Sequence, residues 1–293
     1  MVLVTAGLAA SDRRRRELRA VLDVERLERS RIAGELQAAR DIQMGMLPVP
    51  GAITGLPKNI ELHAMLEPAR EVGGDLYDAF MLDAHHFFFL VGDVAGKGIP
   101  ASLFMALCKT LCKSTALRST GTLDTLMTTV NAEIARDNPA SLFVTAVAGI
   151  LDTRTGSLEL CSAGHDAPVV LRLGEAPSAL TAAGGLPLCV FEDFLYESNQ
   201  VQLQDGDLLV MMTDGVVEAQ DTHANLYGLE RLHACCLALQ AGQKPLRPAE
   251  LCQGIYADLQ HFTQGMEPFD DVTIMVVRYT APCHNAAAGF NGQ

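Results

Sequence analysis

Short apolar runs separated by turn residues dominate the chain from about residue 59 onward. Runs of this length, rich in β-branched and aromatic residues, predict strands. They are IELHAMLEPA, DLYDAFML, HFFFLVGDV, LFVTAVAGILD, SLELCSAG, PVVLRL and DVTIMVVRYT, with further strands near 195–203 and 207–213. Apolar residues at helical spacing predict helices over 98–118, 122–137, 226–240 and 248–263.

The order of these elements predicts the fold class. Strands come first, helices occupy the middle, and strands follow again, which differs from the regular alternation of a doubly wound parallel sheet. The pattern is typical of an α+β fold, in which antiparallel strands are covered by helices.

One long helix is predicted over residues 12–47, because this segment has no proline and few glycines. Three residues, Glu25, Arg29 and Gln43, interrupt an apolar seam with alternating spacings of four and three. The apolar members of the seam are Leu18, Leu22, Ile32, Leu36, Ala39 and Met46. Such a broken heptad favours either a two-helix coiled coil or a helix packed on the main domain; a solvated, partly frayed helix is the alternative.

The chain is expected to divide into four segments. Residues 1–47 form an N-terminal regulatory or coiled-coil helix, and the Pro- and Gly-rich residues 48–58 form a linker. Residues 59–280 form the main domain. Residues 281–293, rich in Gly, Ala and Asn, are expected to be a disordered tail.

Composition and charge exclude several classes of function. The chain has 293 residues, of which 49% are hydrophobic and 19% charged, and a formal net charge of −13 that argues against nucleic-acid binding. No apolar run approaches the ~20 residues of a membrane span, and the N-terminus lacks the charge order of a secretory signal. Eight cysteines without a CxxC pair or a zinc-type cluster indicate thiols in a reducing cytosol.

The segment GDVAGKG, residues 92–98, contains a Gly-Lys pair of the kind found in nucleotide-binding loops. A Walker loop has four residues between its glycines and a Ser or Thr after its lysine. Here three residues separate Gly92 from Gly96, and Gly98 follows Lys97, so both requirements fail. The candidate functional residue is instead Asp93, at the end of an apolar strand; the alternative is an aspartate that caps the following turn.

Aspartates in a similar setting occur at three other strand ends. Asp75 follows two glycines at the start of a strand, Asp214 follows an apolar strand and precedes a glycine, and Asp270 and Asp271 immediately precede the last strand. Hard oxygen donors without nearby His or Cys suit Mg²⁺ or Mn²⁺ rather than zinc. Two such ions can activate a water for in-line displacement at phosphorus. No candidate nucleophile lies in a motif such as GxSxG, so the sequence gives no support to a covalent mechanism.

Seven stretches of the chain resemble one family, the metal-dependent serine/threonine phosphatases of the protein phosphatase 2C (PPM) class, in the bacterial SpoIIE-type branch. They are AARDIQMGMLP, PAREVGGDLYDAF, VGDVAGKGIPASLFMA, FVTAVAGILDTRTGSLELCSAGHDAPVVL, GGLPL, GDLLVMMTDGVVEA and DDVTIMVV. They run in family order over about residues 35–278. The resemblance implies an αββα sandwich of two mainly antiparallel sheets, preceded here by the long N-terminal helix, with a dinuclear Mn²⁺ or Mg²⁺ site.

The resemblance also implies roles for individual residues. The metal ligands carried over by motif are Asp75, Asp93, the backbone carbonyl of Val94, Asp214 and Asp270, and the four aspartates are the expected catalytic residues. Asp271 is expected to lie behind the ligands rather than to bind metal.

Three basic residues have less definite roles. Arg70, five positions before Asp75, resembles an arginine that contacts the substrate phosphate in eukaryotic relatives, and a plain surface arginine is the alternative. Lys97 is a second candidate for the phosphate. His165, in SAGHDAP, is expected to be structural.

For function, the resemblance implies a cytoplasmic bacterial phosphatase that dephosphorylates a phosphoserine or phosphothreonine protein with a metal-activated water. In this branch the substrate is usually a STAS-type anti-sigma-factor antagonist in a partner-switching stress pathway. An upstream sensor or activator protein is an expected partner, and the N-terminal helix is expected to form a homodimer; neither nucleic acid nor membrane is an expected partner. The alternatives are a non-catalytic scaffold that binds a phosphoprotein and another two-metal phosphoesterase such as a nuclease.

Overall fold

The computed structural model describes residues 2–118, 121–136, 138–242 and 245–282; of the side chains before residue 21, it describes those of Arg14, Leu18 and Arg19. The expected tail thus lies almost entirely outside the described residues. Helix α1 (Val2–Met46) belongs to a unit of residues 1–45, separate from the unit of residues 46–293.

The surface of α1 is mostly solvated and carries ion pairs one turn apart. Arg29 donates to Glu25 over 2.6 Å, and Arg31 donates to Glu35 over 2.8 Å. Such pairs stabilise an isolated helix only slightly. Apolar seam residues are exposed along this helix, among them Leu18 and Leu22.

The segment after α1 consists of turns. Gly51 and Gly55 adopt positive φ angles of 87° and 79°, and the amide of Ala52 donates to the carbonyl of Val49. The hydroxyl of Tyr77 donates to the carbonyl of Pro48 over 3.3 Å, which holds the start of the segment against the second strand.

The remaining elements are eleven strands and five helices. The strands are β1 (Ile60–Glu67), β2 (Leu76–Met81), β3 (His86–Val94), β4 (Val144–Asp152), β5 (Ser157–Ala163), β6 (Val169–Leu171), β7 (Ser178–Ala179), β8 (Ala183–Gly185), β9 (Asn199–Gln202), β10 (Leu208–Met212) and β11 (Val272–Tyr279). The helices are α2 (Ile99–Arg118), α3 (Leu123–Arg136), α4 (Asp214–Val217), α5 (Gly228–Gln240) and α6 (Pro248–Thr263).

The strands form two sheets. The first has the order β1-β11-β10-β6-β7, and the second has the order β2-β3-β4-β5-β8, with β9 paired to β5. All of these pairings are antiparallel except β5 with β8. The expected α+β fold with two mainly antiparallel sheets is therefore confirmed.

Each sheet packs on its own pair of helices. Phe88 and Leu90 of β3 share a buried cluster with apolar residues of α2 and α3. Val210 and Ile274 share a second cluster with residues of α5 and α6. The order of layers follows from these two cores, with helices outside and sheets inside.

The inner faces of the sheets are buried as well. Phe87 and Phe89, which alternate with Phe88 along β3, have no exposed surface, and side chains alternate between the two faces of a strand. Hydrogen bonds to Asp75, just before β2, come from Thr213, just after β10, and from Thr273 of β11, so the two sheets face each other. Buried faces on both sides explain why these strands are almost continuously apolar.

Some elements were not expected from the pattern. Strands β7 and β8 are two and three residues long, too short for a periodic signal. Helix α4 begins at Asp214 and spans four residues. The described cysteines are all free thiols. Within the described part of the chain, no helix combines the length and the apolar character needed to cross a membrane.

Candidate metal and phosphate site

Five aspartates lie at one edge of the two sheets. Asp75 precedes β2 and Asp93 lies near the end of β3, both in the second sheet. Asp214 follows β10, and Asp270 and Asp271 precede β11, both in the first sheet. The ends that carry these residues meet because each pair of neighbouring strands is antiparallel.

Asp75 is the most deeply buried of these acids and is held from the opposite sheet. Its Oδ2 accepts hydrogen bonds from the hydroxyls of Thr213 at 2.7 Å and Thr273 at 2.6 Å. The Thr213 hydroxyl also accepts the backbone N–H of Thr273 at 3.0 Å. These bonds fix one oxygen of Asp75 between β10 and β11.

The carboxyls of Asp75 and Asp93 interact directly, and the pKa of each is raised. Burial is the main cause for both, and a hydrogen bond between the two side chains partly offsets the effect at Asp93. The negative charges of Asp214 and Asp270 contribute further, and the pKa of Asp93 reaches about 7. Two buried carboxyls that lie close together favour the neutral form of at least one of them, because burial and the second negative charge both disfavour ionisation.

Asp214 occupies the first position of α4, with a less buried carboxyl. Burial raises its pKa, followed by the charges of Asp270, Glu218 and Asp166. Acids of the first sheet therefore raise the pKa of Asp93 in the second sheet, and Asp270 raises that of Asp214. Carboxylates in such an arrangement are stabilised by divalent cations.

Asp271 makes structural contacts with the loop before Asp75. Its Oδ1 accepts the backbone N–H of Ala69 at 2.7 Å, and its Oδ2 accepts that of Gly74 at 2.7 Å. A Cβ on Gly73 would lie 2.2 Å from this carboxylate. These contacts tie Asp271 to the loop of Asp75; its expected position behind the metal ligands stays a prediction.

Asp270 and Lys97 form an ion pair across the site. The Lys97 ammonium lies 2.9 Å from Oδ2 of Asp270, donates to the carbonyl of Phe269, and lies 4.1 Å from the centre of the Phe269 ring. Lys97 thus neutralises one of the acids of the cluster. A cation that binds Asp270 through this oxygen must displace the lysine.

Replacing Lys97 by Gln is expected to tighten Mn²⁺ binding, because the competing charge on Asp270 is removed. The expected gain is roughly 2–5-fold, the range for a partly exposed ion pair. Isothermal titration calorimetry measures it, with Lys113→Gln as control, since Lys113 pairs with Asp78 instead. Unchanged or weaker Mn²⁺ binding in Lys97→Gln would contradict the proposed competition.

Val94 and Arg70 occupy different surroundings. Val94 is buried, and its carbonyl oxygen would lie 2.7 Å from a Cβ on Gly74, so only glycine fits between the loop and β3. Arg70 is exposed in the loop between β1 and β2. Their expected roles, as a metal ligand and as a phosphate contact, stay predictions.

The aspartate carboxylates are the chemical type of ligand that binds divalent cations, but their side chains do not form a complete coordination shell. Among the described residues, no three His, Cys, Asp or Glu side chains are grouped with the geometry of a metal site. One oxygen of Asp75 bonds two threonines, and one oxygen of Asp270 lies 2.9 Å from Lys97. Hard cations such as Mg²⁺ and Mn²⁺ favour carboxylate oxygen donors.

His165 lies between the two sheets at the same edge. Its Nδ1 lies 3.0 Å from the hydroxyl of Thr145, and its Nε2 lies 3.0 Å from the carbonyl of Met212. Burial lowers the pKa of His165 to about 4, so the ring is neutral at pH 7.

Sequence reasoning missed Thr213 and Thr273, the two donors to Asp75. Each stands next to an aspartate motif, in TDG and DDVT. Threonine is frequent in strands, so its presence alone carried no signal. The only hint in the sequence is that each threonine lies within two residues of an aspartate at a strand end.

Three comparisons with known proteins bear on this site. The family model described as stage II sporulation protein E (SpoIIE) matches residues 83–280. Protein IcfG of Synechocystis is 27% identical over 271 residues, which cover 83% of this chain and 41% of IcfG. The phosphoserine phosphatase RsbU of Bacillus subtilis is 26% identical over 253 residues, 84% of this chain and 70% of RsbU.

A similar fold occurs in the solved SiaA-PP2C domain of Pseudomonas aeruginosa. The TM-score is 0.72 at 21% identity, over 86% of this chain and 98% of that domain. At this identity the likeness concerns the fold. The chain spans about two fifths of IcfG, so the comparison leaves more than half of that protein unmatched.

Proposed function

The chain belongs to the stage II sporulation protein E (SpoIIE) family, and from this premise we propose that it is a metal-dependent protein serine/threonine phosphatase. The observation that carries the proposal is the convergence of acids from both sheets at one edge, where the charges of Asp214 and Asp270 add to burial in raising the pKa of Asp93. Strongly perturbed acids in one place are typical of functional sites. Their oxygen chemistry supports Mn²⁺ or Mg²⁺ as the cofactor.

The four strand-end aspartates and the carbonyl of Val94 would hold two cations. When bound, these ions would supply a water activated for in-line attack on phosphorus. Asp271 holds the loop of Asp75 through backbone N–H groups. Thr213 and Thr273 hold one oxygen of Asp75, so its other oxygen is the one proposed to bind a cation.

Two basic residues are proposed to receive the phosphate. The exposed Arg70 precedes Asp75 by five positions, and a guanidinium can bind two phosphate oxygens at once. The Lys97 ammonium pairs with Asp270 in the acid cluster. A metal ion that replaced Lys97 at Asp270 would leave this ammonium able to bind the substrate phosphate. Both side chains would offset the charge of the phosphoryl group.

The proposed substrate is a phosphoserine or phosphothreonine protein, with a STAS-type anti-sigma-factor antagonist as the specific candidate. The name of RsbU, phosphoserine phosphatase, supports serine phosphate as the reacting group. The proposal extends, on the same family relationship, to a partner-switching pathway in the bacterial cytoplasm and to an upstream activator protein.

Chelation is expected to abolish hydrolysis, because no residue in the site replaces the cations. Protein treated with EDTA and dialysed should lose turnover of a generic phosphate ester and of a phosphoserine protein, and Mn²⁺ should restore both. Released inorganic phosphate measures the reaction. Full turnover after exhaustive chelation would refute metal dependence, whereas binding of the phosphoprotein without hydrolysis in Mn²⁺ would favour the scaffold alternative.

Deletion of residues 1–40 is expected to convert a homodimer into a monomer. The reason is the exposed apolar seam of α1, which includes Leu18, Leu22 and Ile32, since a coiled-coil partner would bury such side chains. Light scattering measures the mass of the full chain and the truncated chain. An oligomer that survives the deletion would place the interface elsewhere.

A further inference from the structure

His165 contacts strands of both sheets with its two ring nitrogens. It follows β5 in the second sheet, and its ring lies between Thr145 of β4 and the carbonyl of Met212 in β10, at 3.0 Å from each. Strands β4 and β10 belong to different sheets. The imidazole is thus a polar link across the interface between the sheets, at the edge that carries the acids.

The partners of the ring determine its tautomer. A backbone carbonyl only accepts hydrogen bonds, so Nε2 must carry the proton that is donated to Met212. In a neutral ring Nδ1 then has a lone pair and accepts the hydroxyl of Thr145. The pKa of His165, lowered by burial to about 4, agrees with this neutral form.

The turn before the ring fixes its direction. Gly164 has a φ of 67°, and a Cβ at this position would lie 2.8 Å from Pro187. The Ser162 hydroxyl accepts the backbone N–H of His165 at 3.2 Å and donates to its carbonyl at 3.1 Å. The backbone at His165 is therefore held in place, and the two hydrogen bonds of the ring nitrogens orient the side chain.

The two ends of the link stand beside proposed ligands. Thr145 is the register partner of Asp93 in the β3–β4 pair, and Met212 precedes Asp214 by two residues. Asp93 lies on β3 of the second sheet and Asp214 follows β10 of the first sheet. The distance between these two acids therefore depends on how β4 and β10 are held together beside them.

We propose that His165 is a positioning residue, which ties β4 to β10 through its Nε2–H tautomer and sets the separation of Asp93 and Asp214. The inference rests on the proposed metal site, since this separation determines whether one pair of cations can contact acids of both sheets. His165 itself touches neither substrate nor cation. Its action runs through Thr145 and the Met212 carbonyl.

The test compares three variants of the full chain. His165→Leu removes both hydrogen bonds, and Thr145→Val removes only the one at Nδ1. His165→Gln keeps a donor and an acceptor. The expected loss of Mn²⁺ affinity is about 10–100-fold for His165→Leu, the range for residues that orient metal ligands, with a smaller loss for Thr145→Val and partial recovery in His165→Gln.

The readouts separate positioning from simple stabilisation. Electron paramagnetic resonance of free Mn²⁺ gives the affinity of the folded protein, and chemical denaturation gives the free energy of unfolding separately. If Thr145→Val and His165→Gln are less stable but bind Mn²⁺ as tightly as the wild type, the role is structural and the inference is wrong. Nitrogen NMR of the His165 ring in the wild type should show a proton on Nε2 alone. A proton on Nδ1 would overturn the inference.

The outcome for the wild type distinguishes this inference from the proposed function. Wild-type protein that binds no Mn²⁺ would overturn the metal site, and the inference with it. Wild-type protein that binds and hydrolyses with Mn²⁺, while the variants bind equally well, would overturn the inference alone.

Discussion

The Asp93→Asn variant is expected to lose nearly all Mn²⁺-dependent hydrolysis of phosphate esters, because the substitution removes a carboxylate that interacts with acids of both sheets. Asp93 interacts with Asp75, Asp214 and Asp270, so no other residue can take its place between them. We expect turnover to fall by about 100-fold or more, as when one preorganised electrostatic contact is lost. Release of inorganic phosphate at saturating Mn²⁺ measures the change.

The same variant is expected to gain stability in protein freed of divalent cations by chelation. The pKa of Asp93 is raised to about 7, so the folded form prefers the protonated carboxyl. This contribution is fully present below the ordinary pKa of about 4 and is lost as the pH rises through about 7. Asn carries no charge, so the variant should be more stable at pH 8, on the order of 1–2 kcal/mol after allowance for solvent screening.

A variant that loses turnover while it gains stability cannot have lost its activity through misfolding. Asp193→Asn serves as the control, because Asp193 is exposed and lies outside the acid cluster. Urea denaturation at pH 5 and pH 8 gives the stability of each protein. Wild-type turnover in Asp93→Asn, or a stability difference from the wild type that does not grow with pH, would refute the assignment of Asp93.

Gly215→Ala is expected to disrupt the site through the backbone. A Cβ on Gly215 would lie 1.9 Å from the carbonyl oxygen of Asp271, a distance that requires the backbone to move. The movement displaces Asp214 on one side and Asp271 on the other, so Mn²⁺ binding should weaken strongly. Overpacking of this kind lowers the free energy of unfolding by about 1–3 kcal/mol, which denaturation measures.

Gly184→Ala provides the matched control for this substitution. A Cβ on Gly184 would meet its nearest atoms at 3.7 Å and 3.8 Å, ordinary contacts. We expect its stability to stay within about 0.5 kcal/mol of the wild type. Equal effects of the two substitutions on Mn²⁺ affinity would show that the close approach at Gly215 has no influence on the site.

Much of the fold was predictable because its signals are local. The prediction of a helix over 248–263 matches α6 in both bounds, and that over 98–118 differs from α2 by one residue. Apolar periodicity and turn residues lie within a few positions of one another, so a single sequence contains them. The two- and three-residue strands β7 and β8 were missed because pairing with a neighbour, rather than periodicity, defines them.

The aspartates were also accessible to sequence reasoning, whereas their contacts were not. An acid at the end of an apolar strand is conspicuous in a sequence, and this position together with the family resemblance predicts Asp75, Asp93, Asp214 and Asp270 as site residues. The hydrogen-bond partners of the individual carboxyl oxygens come from the other sheet, so the local sequence does not reveal them. Thr273 reaches Asp75 from 198 positions away in the chain.

By itself, the sequence determined the longer strands and helices, the family and the acids at the ends of four strands. Only the tertiary structure decided that Lys97 neutralises Asp270, that two threonines hold Asp75, and that His165 joins the two sheets. The physical reason is the range of the interactions. Periodicity and turn preference act between near neighbours, but hydrogen bonds and ion pairs between sheets form only after packing brings distant segments within about 3 Å.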